Sequence, residues 1–467
     1  MISKYKIPVF TAIAATLLLS ACVTKKYERP KLETEDVYRD LKSTDTVTMA
    51  TMPWEKLFAD EKLKALIAKG LAQNVNLKNA IENMVQAQAT LRQAKLGYYP
   101  TLSANADVTH NKQAKAALNF PAGININTLT TTYRAYLSTS WEADIWGKIS
   151  STKRAALASF LQNDAAKRAV QTQLIADIAN TYYNLIALDE QLRITEETLE
   201  ARVKNIEIVN ALKEAAIVNG AAVVQAEANR YATEVTIPDL KQNIREAENA
   251  LNILLSQPPG AIDRSKLEGQ TVPATLNLGV SAQLLENRPD VQQAEFAFRN
   301  AFENVNLAKT YFYPSLTLTA NGGASTLHLE NFFKQSIFYS IIGTLTQPLF
   351  NRGLNKQRLT TAQSIQVQSL NTFQQTIYVA GQEVSNALYS YDMAVQKKES
   401  RVKQVEALTK AVNYTEQLLQ YSSATNYTDV LTSQQQLLAA QLSGVNDQLQ
   451  QLQAVVELYR ALGGGWQ

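Results

Sequence analysis

The segment Ala94-Lys95-Leu96-Gly97-Tyr98-Tyr99-Pro100-Thr101-Leu102 has a counterpart in the second half of the chain, Ala308-Lys309-Thr310-Tyr311-Phe312-Tyr313-Pro314-Ser315-Leu316. In each copy a helical pattern ends at the tyrosine and proline, and a strict alternation of apolar and polar residues begins. The alternating apolar residues are Leu102, Ala104, Ala106 and Val108 in the first copy, and Leu316, Leu318 and Ala320 in the second. The sequence therefore predicts an internal duplication in which helices lead directly into strands.

Alternation with a period of two over about ten residues is typical of a barrel strand that crosses a membrane, with one face towards lipid and the other towards a polar interior. A second alternating segment follows in each half, so we predict four strands, at about 101–112, 132–144, 315–325 and 337–349. Four strands leave two edges without hydrogen-bond partners, which hydrocarbon does not tolerate, so neighbouring chains must complete the barrel. Two chains would give eight strands and a filled interior, whereas three would give twelve strands and an open pore.

Long stretches without proline predict extended helices. Residues 148–215 contain neither proline nor glycine, and residues 355–419 contain no proline and one glycine. Apolar residues within these stretches and near the C-terminus recur at alternating spacings of three and four, as in a coiled coil, with Thr195 and Arg202 as polar interruptions. We therefore predict one helical hairpin at about 148–256, kinked near Pro238, and another at about 353–462.

The N-terminus is typical of an export signal. Lys4 and Lys6 precede an apolar run, which ends in Leu19-Ser20-Ala21-Cys22. That tetrapeptide looks like a bacterial lipobox, which makes Cys22, the only cysteine, the predicted lipidated first residue of the mature protein. Val23 is not the aspartate that usually retains lipoproteins in the inner membrane, in agreement with an outer-membrane destination.

Composition gives no support for catalysis or nucleic-acid binding. The formal net charge of +3 falls to about +1 once Lys4 and Lys6 are removed with the signal. The two histidines, His110 and His328, fall at or near the predicted outer loops and form no metal-ligand or Ser-His-Asp pattern. No phosphate-binding glycine loop is present, so we expect neither an enzyme nor a cofactor, and we interpret 463–465 as a flexible tail.

Several separated motifs resemble one family. They are Leu284-Leu285-Glu286-Asn287-Arg288-Pro289-Asp290-Val291, Tyr313-Pro314-Ser315-Leu316-Thr317-Leu318, and the ending Leu458-Tyr459-Arg460-Ala461-Leu462-Gly463-Gly464-Gly465-Trp466. Together with Pro53-Trp54 near the start, they resemble the TolC-like outer-membrane efflux factors of the NodT lipoprotein subfamily. The resemblance covers essentially the whole mature chain. Within the first motif we interpret Arg288 and Asp290 as structural residues that fix the start of the second half.

The resemblance implies a mainly α-helical fold with membrane β-strands, assembled as a homotrimer with a twelve-stranded outer-membrane barrel and a twelve-helix periplasmic tunnel. The chain would be the passive exit duct of a tripartite pump for drugs or other small toxic compounds. Its partners would be an inner-membrane RND transporter and a periplasmic adaptor. Within the class, export of metal cations or type I protein secretion stays open. From another class, a periplasmic coiled-coil adaptor or scaffold without a pore is the alternative.

The predicted organisation follows the duplication. Residues 1–21 are the signal peptide, and 22–60 are a lipid-anchored segment. The first repeat is 61–258, an equatorial segment is 259–289, and the second repeat is 290–467 with a C-terminal tail.

The periplasmic tip of the tunnel is predicted at the two hairpin bends. Relatives commonly carry glycine where this sequence has Ala216 and Ser423, so we expect the bends to use Gly220 and Asn426, which tolerate positive φ better than other residues. The candidate adaptor-contact residues at the first bend are Gly220, Ala221, Ala222 and Val223.

The candidate aperture lies at the second bend and consists of Tyr421, Thr425, Asn426 and Asp429. On a threefold axis Asp429 would become three like charges, a ring that attracts cations. The alternative interpretation is that Asp429 caps the start of the last long helix.

Overall fold

The computed structural model describes residues 24–32, 48–117, 127–271, 284–421 and 426–466. Its α-helices are α1 (Trp54–Leu57), α2 (Glu61–Gln73), α3 (Val75–Leu96), α4 (Lys148–Glu214), α5 (Gly220–Glu234), α6 (Thr236–Leu254), α7 (Leu284–Asn287), α8 (Pro289–Thr310), α9 (Leu354–Tyr421) and α10 (Tyr427–Ala461). Its strands are β1 (Thr101–Lys112), β2 (Leu129–Ala143), β3 (Ser315–Thr326) and β4 (Ile337–Thr346). The signal segment and Cys22 lie outside the described residues.

The four strands form one antiparallel sheet in the order β1-β2-β3-β4. The register places the predicted apolar residues of all strands on the same face, since Ala104 pairs with Leu137, which pairs with Gly322, which pairs with Tyr339. The opposite face carries polar residues, among them an ion pair of 2.9 Å between the Arg134 guanidinium and Asp107. Within the sheet, the outer edges of β1 and β4 are left unpaired, as the sequence predicts.

Two strand limits differ from the sequence-based expectation. β2 begins at Leu129 rather than 132, because the pairing with β1 continues to Lys112. β4 ends at Thr346 rather than 349, because Pro348 has no N–H group for the ladder.

The long helices follow the proline-poor stretches. α4 has 67 residues and is therefore about 100 Å long. Its two polar seam positions, Thr195 and Arg202, are both buried. The helix that follows the first bend breaks at Val235, three residues before Pro238, because proline lacks an N–H group and clashes with the preceding turn.

The chain divides into two compact units, and each draws on both sequence repeats. One unit comprises the described parts of 1–30, 85–162 and 295–371 and contains the sheet. The other comprises those of 31–84, 163–294 and 372–467. The duplicated halves are therefore interleaved rather than forming separate compact bodies. None of the helices within the described ranges combines the length and apolar character that a membrane-crossing helix needs.

In the second unit, Asp60 joins several segments. It caps α2, accepts a hydrogen bond of 2.6 Å from the Tyr182 hydroxyl, and also accepts bonds from Ser265 and Gln270. Burial alone would raise the pKa of Asp60, but these hydrogen bonds and the Lys62 N–H lower it overall.

Arg288 is buried in the same unit, as expected for a structural residue. Its guanidinium forms a two-pronged ion pair with Asp290, at 2.6 and 2.9 Å, and a second ion pair of 2.6 Å with Glu383. It also donates 2.9 Å to the carbonyl oxygen of Ala461 at the end of α10. Burial alone would lower the pKa of Arg288, but the two carboxylates raise it overall, so the side chain stays charged.

The C-terminal glycines are packed, so the interpretation of 463–465 as a flexible tail is wrong. Gly463 has a φ of +92°, and a Cβ there would lie 2.4 Å from the carbonyl oxygen of Asn287. A Cβ on Gly464 would meet the ring of Tyr459 at 2.3 Å. Trp466 donates 2.9 Å to the same Asn287 oxygen. Gly463 and Gly464 are required because a Cβ at either position would overlap the Asn287 backbone or the Tyr459 ring.

Candidate functional site at the helical tip

The first bend is built around Ala216, not Gly220. Ala216 has a φ of +57°, whereas Gly220 is the first residue of α5 and follows the N-cap Asn219. The Ile217 N–H donates to the carbonyl of Leu212, and the Ala216 N–H donates to that of Lys213, which is the hydrogen-bond pattern of a Schellman motif. The expectation that Gly220 supplies the positive φ is therefore wrong, because these bonds fix the left-handed residue at the end of α4.

Asn426 is likewise not a left-handed residue, since its φ is −114°. It is the N-cap of α10, and its side chain accepts a hydrogen bond of 3.1 Å from the Asp429 N–H. The Asp429 carboxylate accepts one of 3.3 Å from the Asn426 N–H, which completes a capping box. Asp429 thus has the capping geometry of the alternative interpretation, and its aperture role stays a prediction.

Of the other two candidate aperture residues, Tyr421 is described and Thr425 is not. Tyr421, the last residue of α9, is 85% exposed. Thr425 and Ser423 lie outside the described residues. Tyr421 is therefore available to line a passage.

The four candidate adaptor-contact residues separate into two pairs. Gly220 and Ala221 are exposed, whereas Ala222 and Val223 are buried. The buried pair belongs to a small apolar cluster at the tip, whose other members are Val209, Ala226, Leu419, Tyr427, Val430 and Leu431. Only the exposed pair can contact another protein without rearrangement of this cluster.

A groove of about 380 Å³ connects the two bends. Its walls include Asn219 and Ala221 from the first bend and Asn426, Tyr427 and Thr428 from the second. Sequence reasoning identified both bends but not this shared groove, because no local pattern shows which residues of distant segments face one another.

The sequence did not predict the polar contacts of Arg202 either. Arg202 donates 2.5 Å to the Asn229 carbonyl oxygen and also hydrogen bonds to Thr233. It thereby fastens α4 to α5, and burial lowers its pKa. Asn205 donates 3.1 Å to the hydroxyl of Tyr427, and burial raises the pKa of Tyr427 to about 12. The only sequence signal was that Arg202 interrupts an apolar seam.

The other sequence candidates do not come together with the tip. His110 lies within β1, where its Nδ1 is 2.8 Å from the hydroxyl of Thr131. His328 follows β3. Among the described residues, no group of three or more histidine, cysteine, aspartate or glutamate side chains is arranged to hold a metal.

Ala216→Gly should stabilise the first bend by about 1 kcal/mol, because alanine pays a steric cost in the left-handed region that glycine avoids. Hydrogen exchange should slow about fivefold at the amides of Ile217 and Val218. The control Ala211→Gly, inside α4, should instead destabilise by a similar amount. Faster exchange in the Ala216 variant would contradict the bend geometry.

The comparisons with known proteins cover nearly the whole chain. A family model described as "Outer membrane efflux protein" matches residues 66–257 and 280–464. The chain is 28% identical to the probable outer membrane lipoprotein SilC of Salmonella typhimurium, over 97% of this chain and 98% of the relative. It is 27% identical to the probable efflux pump outer membrane protein TtgC of Pseudomonas putida, over 97% and 95%.

A solved structure gives the same fold. The open state of the MtrE outer membrane channel of Neisseria gonorrhoeae superposes with a TM-score of 0.84 at 25% identity, and the match covers 95% of this chain and 98% of that one. The predicted TolC-like fold is therefore confirmed. The chain belongs to the outer membrane efflux protein family, whose members are efflux channels rather than enzymes.

Proposed function

We propose that this chain assembles as a homotrimer into the outer membrane duct of a tripartite RND-type pump and exports small toxic organic compounds. The observation that supports this proposal most strongly is the sheet, which has one continuous apolar face and two unpaired edges, at β1 and β4. Edge-to-edge pairing of three copies would give twelve strands, enough for a barrel with an open interior. The cargo class is suggested by relatives named as toluene and antibiotic efflux proteins.

The assembly is tested in two steps. Outer-membrane fractions should contain a detergent-resistant oligomer that converts to monomer on heating, and the purified oligomer should conduct ions across a planar bilayer. A chain that purifies as a detergent-independent monomer would contradict the proposal and favour an adaptor or scaffold. Copurification of the native complex would identify the transporter, and thereby separate export of organic compounds from export of metal cations or polypeptides.

The groove at the tip is the proposed docking site for the periplasmic adaptor. It joins both bends of one chain, and the exposed Gly220 and Ala221 lie at its rim beside Asn219. A bulky Ala221→Trp substitution should therefore weaken copurification of the adaptor while the oligomer still forms.

The N-terminal segment supports an anchor at Cys22. Arg29 pairs with Glu295 on α8 through two hydrogen bonds of 2.8 and 2.7 Å, and Lys25 exchanges backbone hydrogen bonds with the Asn306 side chain. Thr24 lies beside Gly147, just after the end of β2. The segment thus leads towards the sheet. A lipid chain on Cys22, two residues before Thr24, would reach the membrane there.

Cys22→Ala should abolish incorporation of labelled fatty acid while the oligomer still assembles, because the anchor adds membrane affinity and the sheet itself spans the bilayer. Labelling is followed by gel autoradiography of the immunoprecipitated protein. A wild-type chain that takes up no label would refute the anchor.

Asp429→Asn should reduce the preference of the channel for cations if three copies of Asp429 line the aperture, because the change removes three negative charges from a narrow passage. Reversal potentials in a salt gradient measure this preference. Asp239→Asn, at the exposed start of α6, is the matched control. An unchanged reversal potential would leave Asp429 with its capping role alone.

A further inference from the structure

A cavity of about 260 Å³ lies in the unit that contains the sheet, where the strands meet the long helices. Its lining includes Glu142 from β2, Ser315 from β3 and Thr346 from β4. In the strand register these three residues share the polar face of the sheet, together with Thr317. The cavity therefore opens on the side that would face the interior of the barrel under the proposed function, on which this inference rests.

The aromatic walls of this cavity are already ordered. Trp146 stacks on Tyr313, with ring centroids 4.9 Å apart, and its indole nitrogen donates 2.7 Å to the carbonyl of Pro314. Tyr311 forms a further wall, and its carbonyl accepts 2.6 Å from the buried amide of Asn355. A planar ring can therefore stack here without the cost of immobilising flexible side chains.

The charges at the cavity leave one cation without an acidic partner. Glu142 accepts two hydrogen bonds of 2.9 Å from Lys148, so these two neutralise each other. Asp144 caps α4 through the N–H groups of Ile149 and Ser150. Arg358 lies over the Tyr311 ring at 4.6 Å, and no carboxylate among the described residues forms an ion pair with it.

We propose that this cavity is a transit site for single-ring aromatic carboxylates. The Arg358 guanidinium lies over the Tyr311 ring, and its N–H groups would bind the carboxylate in two-pronged geometry. The ring of the ligand stacks against the Trp146 and Tyr313 wall. The cavity is smaller than the roughly 300–1,000 Å³ of sites for drug-sized ligands, which favours a compound with one ring.

The test uses the full-length purified oligomer in planar bilayers, with salicylate as the probe. Salicylate should cause saturable blockades of the current, and Arg358→Gln should raise its half-blocking concentration about tenfold, as expected for the loss of one charge-assisted contact. Lys356→Gln is the matched control, because Lys356 is an exposed cation in the same helical turn that does not line the cavity. Benzylammonium, which has the ring but the opposite charge, should not compete.

Other outcomes overturn the proposal. They are equal block of the wild type and the Arg358 variant, equal weakening by Lys356→Gln, or competition by inorganic phosphate at the same concentration as salicylate. Conductance without salicylate tests the duct separately. If the wild type does not conduct, the proposed duct function is contradicted. Saturation-transfer NMR of salicylate with the detergent-solubilised protein still tests the cavity, because the transfer signal should be lost in Arg358→Gln.

Discussion

Arg288→Ala should lower the stability of the second unit by about 3–5 kcal/mol, the cost of leaving a buried ion-pair network without its cation. Two acidic groups, Asp290 and Glu383, and the carbonyl of Ala461 lose their shared donor. Because Glu383 keeps a contact of 3.1 Å with Arg460, the loss should lie towards the lower end of that range. The heating temperature that converts oligomer to monomer should fall, and hydrogen exchange should accelerate at the end of α10.

A control with the same chemistry on the surface separates burial from charge. Arg193 also contacts two carboxylates, those of Glu190 and Glu197, but its side chain is 49% exposed. Arg193→Ala should therefore cost less than about 1 kcal/mol. Arg288→Lys should recover only part of the loss, because an ammonium group cannot form the two-pronged pair with Asp290. Equal stabilities of the Arg288 and Arg193 alanine variants would contradict the assigned network.

The sheet was the most predictable part of this protein. A strand that separates lipid from a polar interior must alternate strictly between apolar and polar residues. The alternation alone therefore assigned Leu102 and Leu316 to the apolar face of the sheet. Strand ends were less predictable where they depend on hydrogen bonding to a neighbouring strand. β2 extends to Leu129 because β1 continues to Lys112 and pairs with it there. The long helices were also predictable, since residues 148–215 and 355–419 contain no proline and only one glycine between them.

The bends were less predictable, because the local hydrogen bonds that end one helix and start the next overrode the conformational preference of single residues. A glycine and an asparagine were available at 220 and 426, yet the positive φ of the first bend falls on Ala216. At the C-terminus, by contrast, the glycines suggested flexibility where the structure is packed. Gly463 follows α10 in the left-handed conformation of a helix terminator, a signal that sequence alone contained, but its close contact with Asn287 depends on a distant segment.

The sequence located the two bends between the long helices, but not the roles of the residues within them. Whether Asp429 caps a helix or charges a passage depends on the threefold assembly as well as on the chain, and one aspartate can do both. The cavity beside Arg358 could not be predicted from the sequence either. Tyr311 and Tyr313 in its walls come from the repeated Tyr-Pro segment, Trp146 comes from the segment after β2, and the cation comes from α9. Only the fold brings these residues together.

Ile341→Lys should strongly reduce the yield of assembled oligomer. Ile341 is 75% exposed on the apolar face, near the middle of β4 and opposite Ala320. Lysine at the centre of a membrane barrel costs about 2–4 kcal/mol per chain, and three copies would add about 6–12 kcal/mol to an assembled trimer. The heat-modifiable band in outer-membrane fractions should therefore largely disappear.

Ser340→Lys is the matched control for this prediction, because Ser340 is the preceding residue and lies on the polar face opposite Asn321. It should assemble normally, since an inward-facing lysine stays in contact with water. Leu318→Lys, nearer the end of its strand, should cause a smaller loss than Ile341→Lys, because a lysine there can extend its ammonium group towards the interface. Normal assembly of the Ile341 variant together with failure of the Ser340 variant would reverse the two faces of the sheet and, with them, the side on which the cavity at Arg358 opens.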